Sequence, residues 1–158
     1  MKIIFLDYDG VVNTLIFEQG EDRPRHYHPQ DGKVNNYQAI CWLNKLCKET
    51  KAKIVVTSTW RRQSNYRECL YNGGLDKSID VIGRTSILDE YSRADEIYEW
   101  LNRHRSLNIE NFVIIDDETA VSPMFEINLV KCDPAWGFGI NEYSEAKEKL
   151  GENKWKSL

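Results

Sequence analysis

Residues 3–13 read IIFLDYDGVVN. The unbroken apolar run Ile3–Leu6 has the pattern of a parallel strand covered on both faces, where no side chain meets water. It stops at two carboxylates, Asp7 and Asp9, and then Gly10. In extended chain alternate side chains share a face, so Asp7 and Asp9 project to one side and Tyr8 to the other. Two carboxylates held that close repel each other, and they need a cation beside them or a proton on one. Gly10 allows the chain to turn sharply. Taken alone, Asp-Gly is ordinary turn chemistry. What the other strand ends carry decides between a turn and a site.

Four further runs read as strands: 53–57 (KIVVT), 79–82 (IDVI), 112–116 (FVIID) and 128–132 (NLVKC), joining 2–7 (KIIFLD). Helical spacing fills the gaps. Tyr37, Ile40, Leu43, Leu46 and Cys47 mark a helix over 36–49, and Ala94, Ile97, Trp100 and Leu101 mark one over 93–104. A shorter helix is expected at 64–72 before Gly73-Gly74, and another over about 142–150 before Gly151. Ser92, three residues ahead of Asp95, is a helix-start signal. This alternation predicts an α/β, three-layer, Rossmann-like fold: about five mostly parallel strands with helices on both faces. Ligands in such sheets sit beyond the carboxyl ends of the strands. Residues 10–35 are too long for an ordinary connection and predict a flap over the end of the first strand. Residues 151–158 read as a tail, and 1–158 as one domain.

Composition narrows the class. Of 158 residues, 41% are hydrophobic and 29% charged, as in a globular protein. The net charge of −4 argues against nucleic-acid binding driven by overall basicity, although it leaves room for a local basic patch. No apolar run approaches the ~20 residues that span a bilayer. The run after Lys2 is too short for a secretory signal. The expectation is a cytoplasmic protein with no membrane contact. Cys41, Cys47, Cys69 and Cys132 form no C-x-x-C pair and read as small reduced hydrophobes.

The strand ends hold the chemistry. The second strand ends at Thr57, with Ser58, Thr59, Trp60, Arg61 and Arg62 behind it. Hydroxyls and backbone N–H groups there can bind phosphate oxygens. The fourth ends in Asp116-Asp117-Glu118, and a cation is offered by Arg93 at a helix start or by Arg84 in VIGRTS. Carboxylate oxygens suit Mg²⁺. Hydroxyls and a guanidinium suit a phosphoryl group.

These residues, in this order, resemble the haloacid-dehalogenase (HAD) superfamily of phosphohydrolases. FLDYDGVVN is similar to its DxDG motif and IVVTS to its second motif. Arg93 falls at its third-motif cation, and VIIDDE resembles its acidic fourth motif. VVTSTWR, SRADEIYEWL, FVIIDDE and CDPAWGFG further resemble the small HAD domains of multi-domain RNA-repair proteins. The resemblance implies Asp7 as nucleophile and Asp9 as the acid that protonates the leaving oxygen and then activates water. It implies Mg²⁺ held by Asp7, the backbone carbonyl of Asp9, and Asp116. Asp117 would act through water or orient Arg93. Thr57 or Ser58 would hold phosphoryl oxygens, with Gly10 lining the substrate side. An acid at position 9 points to phosphate esters rather than dehalogenation.

The interval from Ile82 to Arg93 is too short for the cap domain that many members of the resembled family carry, and in that family an open, capless site often goes with large substrates such as polynucleotides or phosphoproteins. Trp60, Arg61 and Arg62, with Arg23, Arg25, His26, Tyr27 and His28 in the flap, combine aromatic and cationic groups as a nucleic-acid end would need. The expected substrate is a phosphorylated nucleic-acid end, such as a 3′-phosphate, or a nucleotide. Competing readings are a small-molecule 5′- or 3′-nucleotidase, a receiver-like phospho-acceptor and a non-catalytic module. Plainer readings stand beside these: Thr57 and Ser58 as helix caps, Arg61 and Arg62 as solvated charges, the flap histidines and Trp100, Trp136 and Trp155 as packing groups, and Asp133 as structural.

Overall fold

The computed structural model describes residues 1–14, 32–88, 92–118 and 123–151. The apolar run beside Asp7 is β1 (Lys2–Leu6), the middle strand of a five-stranded parallel sheet ordered β3-β2-β1-β4-β5. Its companions are β2 (Lys53–Val56), β3 (Val81–Arg84), β4 (Asn111–Asp116) and β5 (Leu129–Lys131). The helices are α1 (Tyr37–Thr50), α2 (Tyr66–Asn72), α3 (Arg93–Arg103) and α4 (Ile140–Gly151).

Period-two alternation splits the sheet between two cores. Ile4, Leu6, Ile54, Val56, Val113 and Ile115 pack with residues of α1, α2 and α4. Ile3, Phe5, Val55, Phe112 and Ile114 pack with α3 and with Phe125. The result is the three-layer arrangement expected from the sequence. Phe5 meets Trp100 and Phe112 edge-on, with ring centroids 5.4 and 5.6 Å apart.

Two helix starts bear on function. Asn36 caps α1, its Oδ1 accepting the Ala39 N–H at 3.0 Å. Ser92 and Asp95 form a reciprocal capping box at the start of α3, which fixes the turn that carries Arg93.

One strand lies elsewhere than expected. β3 is Val81–Arg84, not 79–82, because Ile79 is buried from the turn before the strand and the β2–β3 register shifts between Ile54 and Val55. Gly83 and Arg84, beyond the apolar run, continue the strand. The flap residues Arg23, Arg25, His26, Tyr27 and His28, and the tail beyond 151, lie outside the described residues. Among the described residues, no helix is long and apolar enough to cross a membrane.

β1 and β4 are neighbours, while the chain leaves β1 toward β2 and leaves β4 toward β5. The crevice between them is therefore the topological switch point, where parallel sheets bind ligands.

Candidate active site

Asp7 directly follows β1, and its N–H still donates to the Ile115 carbonyl of β4 at 3.0 Å. That bond sets the carboxylate over the switch point. Asp116 ends β4, fully buried, and Arg93 reaches both acids from α3. Its Nη1 lies 2.8 Å from Asp7 Oδ2 and also bonds Asp116 Oδ2. Burial alone would weaken the Arg93 charge, but Asp7 and Asp116 outweigh it and hold the guanidinium protonated well above its ordinary range. Asp7 Oδ1 accepts the Tyr8 N–H at 2.8 Å. Asp116 Oδ1 accepts the Glu118 N–H at 2.9 Å. Burial, then the neighbouring Asp7 charge, push the Asp116 carboxyl up to about 6. The same two causes raise Asp117. Arg84, the rival cation, is turned away. Its guanidinium bonds the Arg61 carbonyl and lies 5.0 Å over the Tyr66 ring.

Asp9 is held apart from that cluster. Its Oδ1 accepts from Asn13 Nδ2 at 2.7 Å and its Oδ2 from Trp60 Nε1 at 3.1 Å. Burial raises its carboxyl and Asp7 adds to the rise, against the pull of the two hydrogen bonds and of Arg93. The turn behind it is tight: the N–H groups of Val11, Val12 and Asn13 all converge on the Tyr8 carbonyl. Gly10 sits in that turn at φ +74°, and a Cβ there would lie 2.4 Å from Asp117 Cγ. Its N–H donates to the Asn13 carbonyl at 2.7 Å. Gly10 thus gives the Asp117 carboxylate its space.

The residues after β2 divide. The Thr57 N–H donates to the Leu6 carbonyl at 2.9 Å, while its fully buried hydroxyl has no hydrogen-bond partner among the described residues. Ser58 Oγ accepts the Trp60 N–H at 3.3 Å, as the cap of a short 3₁₀ turn over Thr59–Arg62. Trp60 is buried against Tyr8, with its indole N–H given to Asp9. Arg61 is buried as well, its guanidinium forked onto Glu96 at 2.6 Å. These two side chains, expected on the substrate side, face into the protein. Arg62 is exposed.

Sequence reasoning missed Asn13 and Glu96. Asn13 lies in the quoted stretch itself, four residues beyond Asp9. Glu96 lies one helical turn beyond Arg93, a spacing that places both on one face of α3.

The acids form a candidate cation seat. One carboxylate oxygen from each of Asp7, Asp116 and Asp117 can be taken so that all lie within 4.8 Å of one another. Octahedral Mg²⁺, with bonds of about 2.1 Å, sets neighbouring oxygens about 3.0 Å and opposite ones about 4.2 Å apart, so the three carboxylates would have to draw in around that ion. A guanidinium already lies between two of the three carboxylates. The geometry therefore concentrates negative charge and one fixed cation at the switch point, with a separately held carboxyl after β1 and, at the end of the adjoining β2, a hydroxyl without a partner among the described residues.

No curated protein and no solved structure matches the chain. A family model does, over residues 3–142: the HAD domain in Swiss Army Knife RNA repair proteins. Its span takes in β1, the strand ends with Thr57 and Asp116, and the Arg93 helix start. The chain is a small HAD-superfamily domain and belongs to that RNA-repair family.

Proposed function

We propose that the protein is a Mg²⁺-dependent phosphoric monoester hydrolase that works through an aspartyl-phosphate on a phosphorylated nucleic-acid end or a nucleotide. The observation that carries this reading is the set of carboxylates from adjoining strand ends gathered around Arg93. The unpartnered Thr57 hydroxyl supports it, since a polar atom buried without a partner is costly unless a ligand completes it.

Asp7 attacks phosphorus through a carboxylate oxygen, and the bond from phosphorus to the leaving oxygen breaks. Asp9, whose carboxyl is raised by burial, gives its proton to that oxygen. The resulting Asp9 carboxylate then takes a proton from water. The water oxygen bonds to phosphorus, the aspartyl–phosphate bond breaks, and Asp7 is regenerated. Thr57 donates to a phosphoryl oxygen, and Arg93 neutralises charge on the equatorial oxygens. Mg²⁺ held by Asp7, the backbone carbonyl of Asp9, and Asp116, with Asp117 reaching it through water, would offset the repulsion between carboxylate and phosphate.

Membership of an RNA-repair family supports the nucleic-acid end as substrate. β3 ends at Arg84 and α3 begins at Arg93, too close for a cap domain to be inserted, which suits a substrate larger than a metabolite. The test is phosphate release from 3′-phosphorylated RNA oligonucleotides, mononucleotides and sugar phosphates, with Mg²⁺ or EDTA, by wild type and Asp7→Asn. Turnover is expected on the oligonucleotide, abolished by EDTA and lowered at least 1,000-fold, on the scale of a lost nucleophile, by Asp7→Asn. Equal or faster turnover of sugar phosphates would remove the substrate assignment. Activity in Asp7→Asn would remove the nucleophile.

A further inference from the structure

A buried ion pair that the chemistry above does not use ties the loop after β2 to the start of α3. Arg61 and Glu96 are only 5% and 6% exposed. Arg61 Nη2 donates to both Glu96 oxygens at 2.6 Å. Arg61 Nη1 donates to the carbonyls of Thr57 and Ser58, the latter at 3.0 Å. Glu96 Oε1 also accepts the Leu88 N–H at 3.2 Å. Glu96 lies one turn along α3 from Arg93. One side-chain pair therefore grips the backbone that presents the Thr57 hydroxyl and the helix turn that presents the Arg93 guanidinium.

We propose that Arg61–Glu96 is a positioning clamp that sets the separation between the Thr57 hydroxyl and the Arg93 guanidinium, and hence the seat of the phosphoryl group; this rests on the phosphatase reading above. Stability alone does not call for such a pair, because a well-packed apolar pair of similar volume usually stabilises a core as much or more. An apolar pair could not hold two carbonyls and an amide N–H in fixed directions. The planar guanidinium of Arg61 holds the two carbonyls, and the Glu96 carboxylate holds both the guanidinium and the Leu88 N–H. Arg61 and Glu96 act through Thr57 and Arg93, and a displacement of about 1 Å at a reacting centre can cost about 100-fold in rate.

The test compares wild type with Glu96→Gln and with the double variant Arg61→Met/Glu96→Leu, which leaves neither charge buried alone. Four quantities are measured: melting temperature, its shift with Mg²⁺, its further shift with orthovanadate, and kcat and KM on a 3′-phosphorylated oligonucleotide. The double variant is expected to fold and keep the Mg²⁺ shift, because Asp7, Asp116 and Asp117 are untouched. It is expected to lose most of the vanadate shift and at least tenfold in kcat, with KM within threefold, as for groups misplaced against the transition state. If the double variant does not fold, Glu96→Gln carries the same readouts. A folded variant with wild-type kcat and vanadate shift overturns the clamp and leaves the phosphatase reading intact. So does a loss of the Mg²⁺ shift in step with kcat, which would locate the damage in the acidic cluster. A wild type that neither releases phosphate nor responds to vanadate overturns both.

Discussion

A hydroxyl sealed from water without a partner weakens a fold, and Thr57 Oγ1 is one such group. Thr57→Val keeps the shape and removes the unpaired oxygen. It is expected to melt no lower than wild type, and up to about 1 kcal/mol more stable, or about 2–4 °C. Its turnover should fall at least tenfold, the scale of one lost donor to the transition state. A Thr57→Val enzyme of full activity would show that the hydroxyl contacts no substrate. Thr85 Oγ1 is the matching control, likewise without a partner among the described residues, on the neighbouring strand end and outside the proposed machinery. Thr85→Val should gain stability without losing rate. Gly10 shows the opposite constraint. Gly10→Ala would force a side chain into φ +74° and within 2.4 Å of Asp117 Cγ. We expect a loss of about 1–3 kcal/mol from backbone strain and weaker Mg²⁺ binding as Asp117 is displaced. Gly32→Ala, at φ +59° with its nearest neighbour 3.8 Å away, should lose stability alone. Similar Mg²⁺ affinity in both variants would sever the link between Gly10 and Asp117. At this scale the sequence was only half legible. The placement of Asp7 and Asp116 at neighbouring strand ends was legible because a strand end fixes where a side chain points. That of Trp60 and Arg61 was not, because a 3₁₀ turn has no period-two rule and Arg61's partner Glu96 comes from a distant helix.

The elements were legible wherever burial wrote a continuous pattern. β1, β2 and β4 are apolar runs buried along most of their length, β5 is a short edge strand with Val130 buried and Lys131 exposed, and each was expected within a residue or two of its observed ends. β3 slipped by two because Ile79 is apolar for packing under a turn, and because a strand ending Gly83-Arg84 carries no apolar signal. Contacts between elements were less visible. α1 and α4 cover one face together, and their surface seam centres on Glu49. Its carboxylate accepts Tyr143 Oη at 2.5 Å and pairs with Lys147 at 2.8 Å and Lys45 at 2.6 Å. The bonds from Lys147, then Lys45 and Tyr143, lower its carboxyl to about 2. A carboxyl lowered on folding adds stability that is complete above its unfolded value near 4.5 and disappears as pH falls toward 2. Glu49→Gln should therefore lower the melting temperature near neutrality and converge on wild type between about pH 4.5 and 2. Because the group is exposed, the gap should shrink in high salt. Melting curves that stay parallel down to pH 2 would show that the seam contributes nothing through Glu49's charge.

For the molecule as a whole, the switch point is a place where folding works against itself. Parallel strands bring Asp7 and Asp116 side by side, and Asp117 joins them, in a chain already at net −4. Burial and mutual repulsion raise Asp116 and Asp117, which means the fold bears a cost in holding them charged. One guanidinium, Arg93, offsets part of that cost. A divalent cation that binds the folded chain and not the unfolded one would offset more, and by mass action would stabilise it by about 2.7 kcal/mol at 100 times its dissociation constant. For a domain of this size that corresponds to a rise of about 5–10 °C in melting temperature. Mg²⁺ should produce such a rise in wild type, and EDTA should reverse it. Asp116→Asn should lose most of the rise. Glu49→Gln, which removes a carboxylate far from the cluster, should keep it. The comparison separates a specific seat from general attraction of a cation to an acidic protein, since both variants lose one negative charge. An equal rise in all three proteins would mean that Mg²⁺ is not held at the switch point, and the acids there would need another explanation.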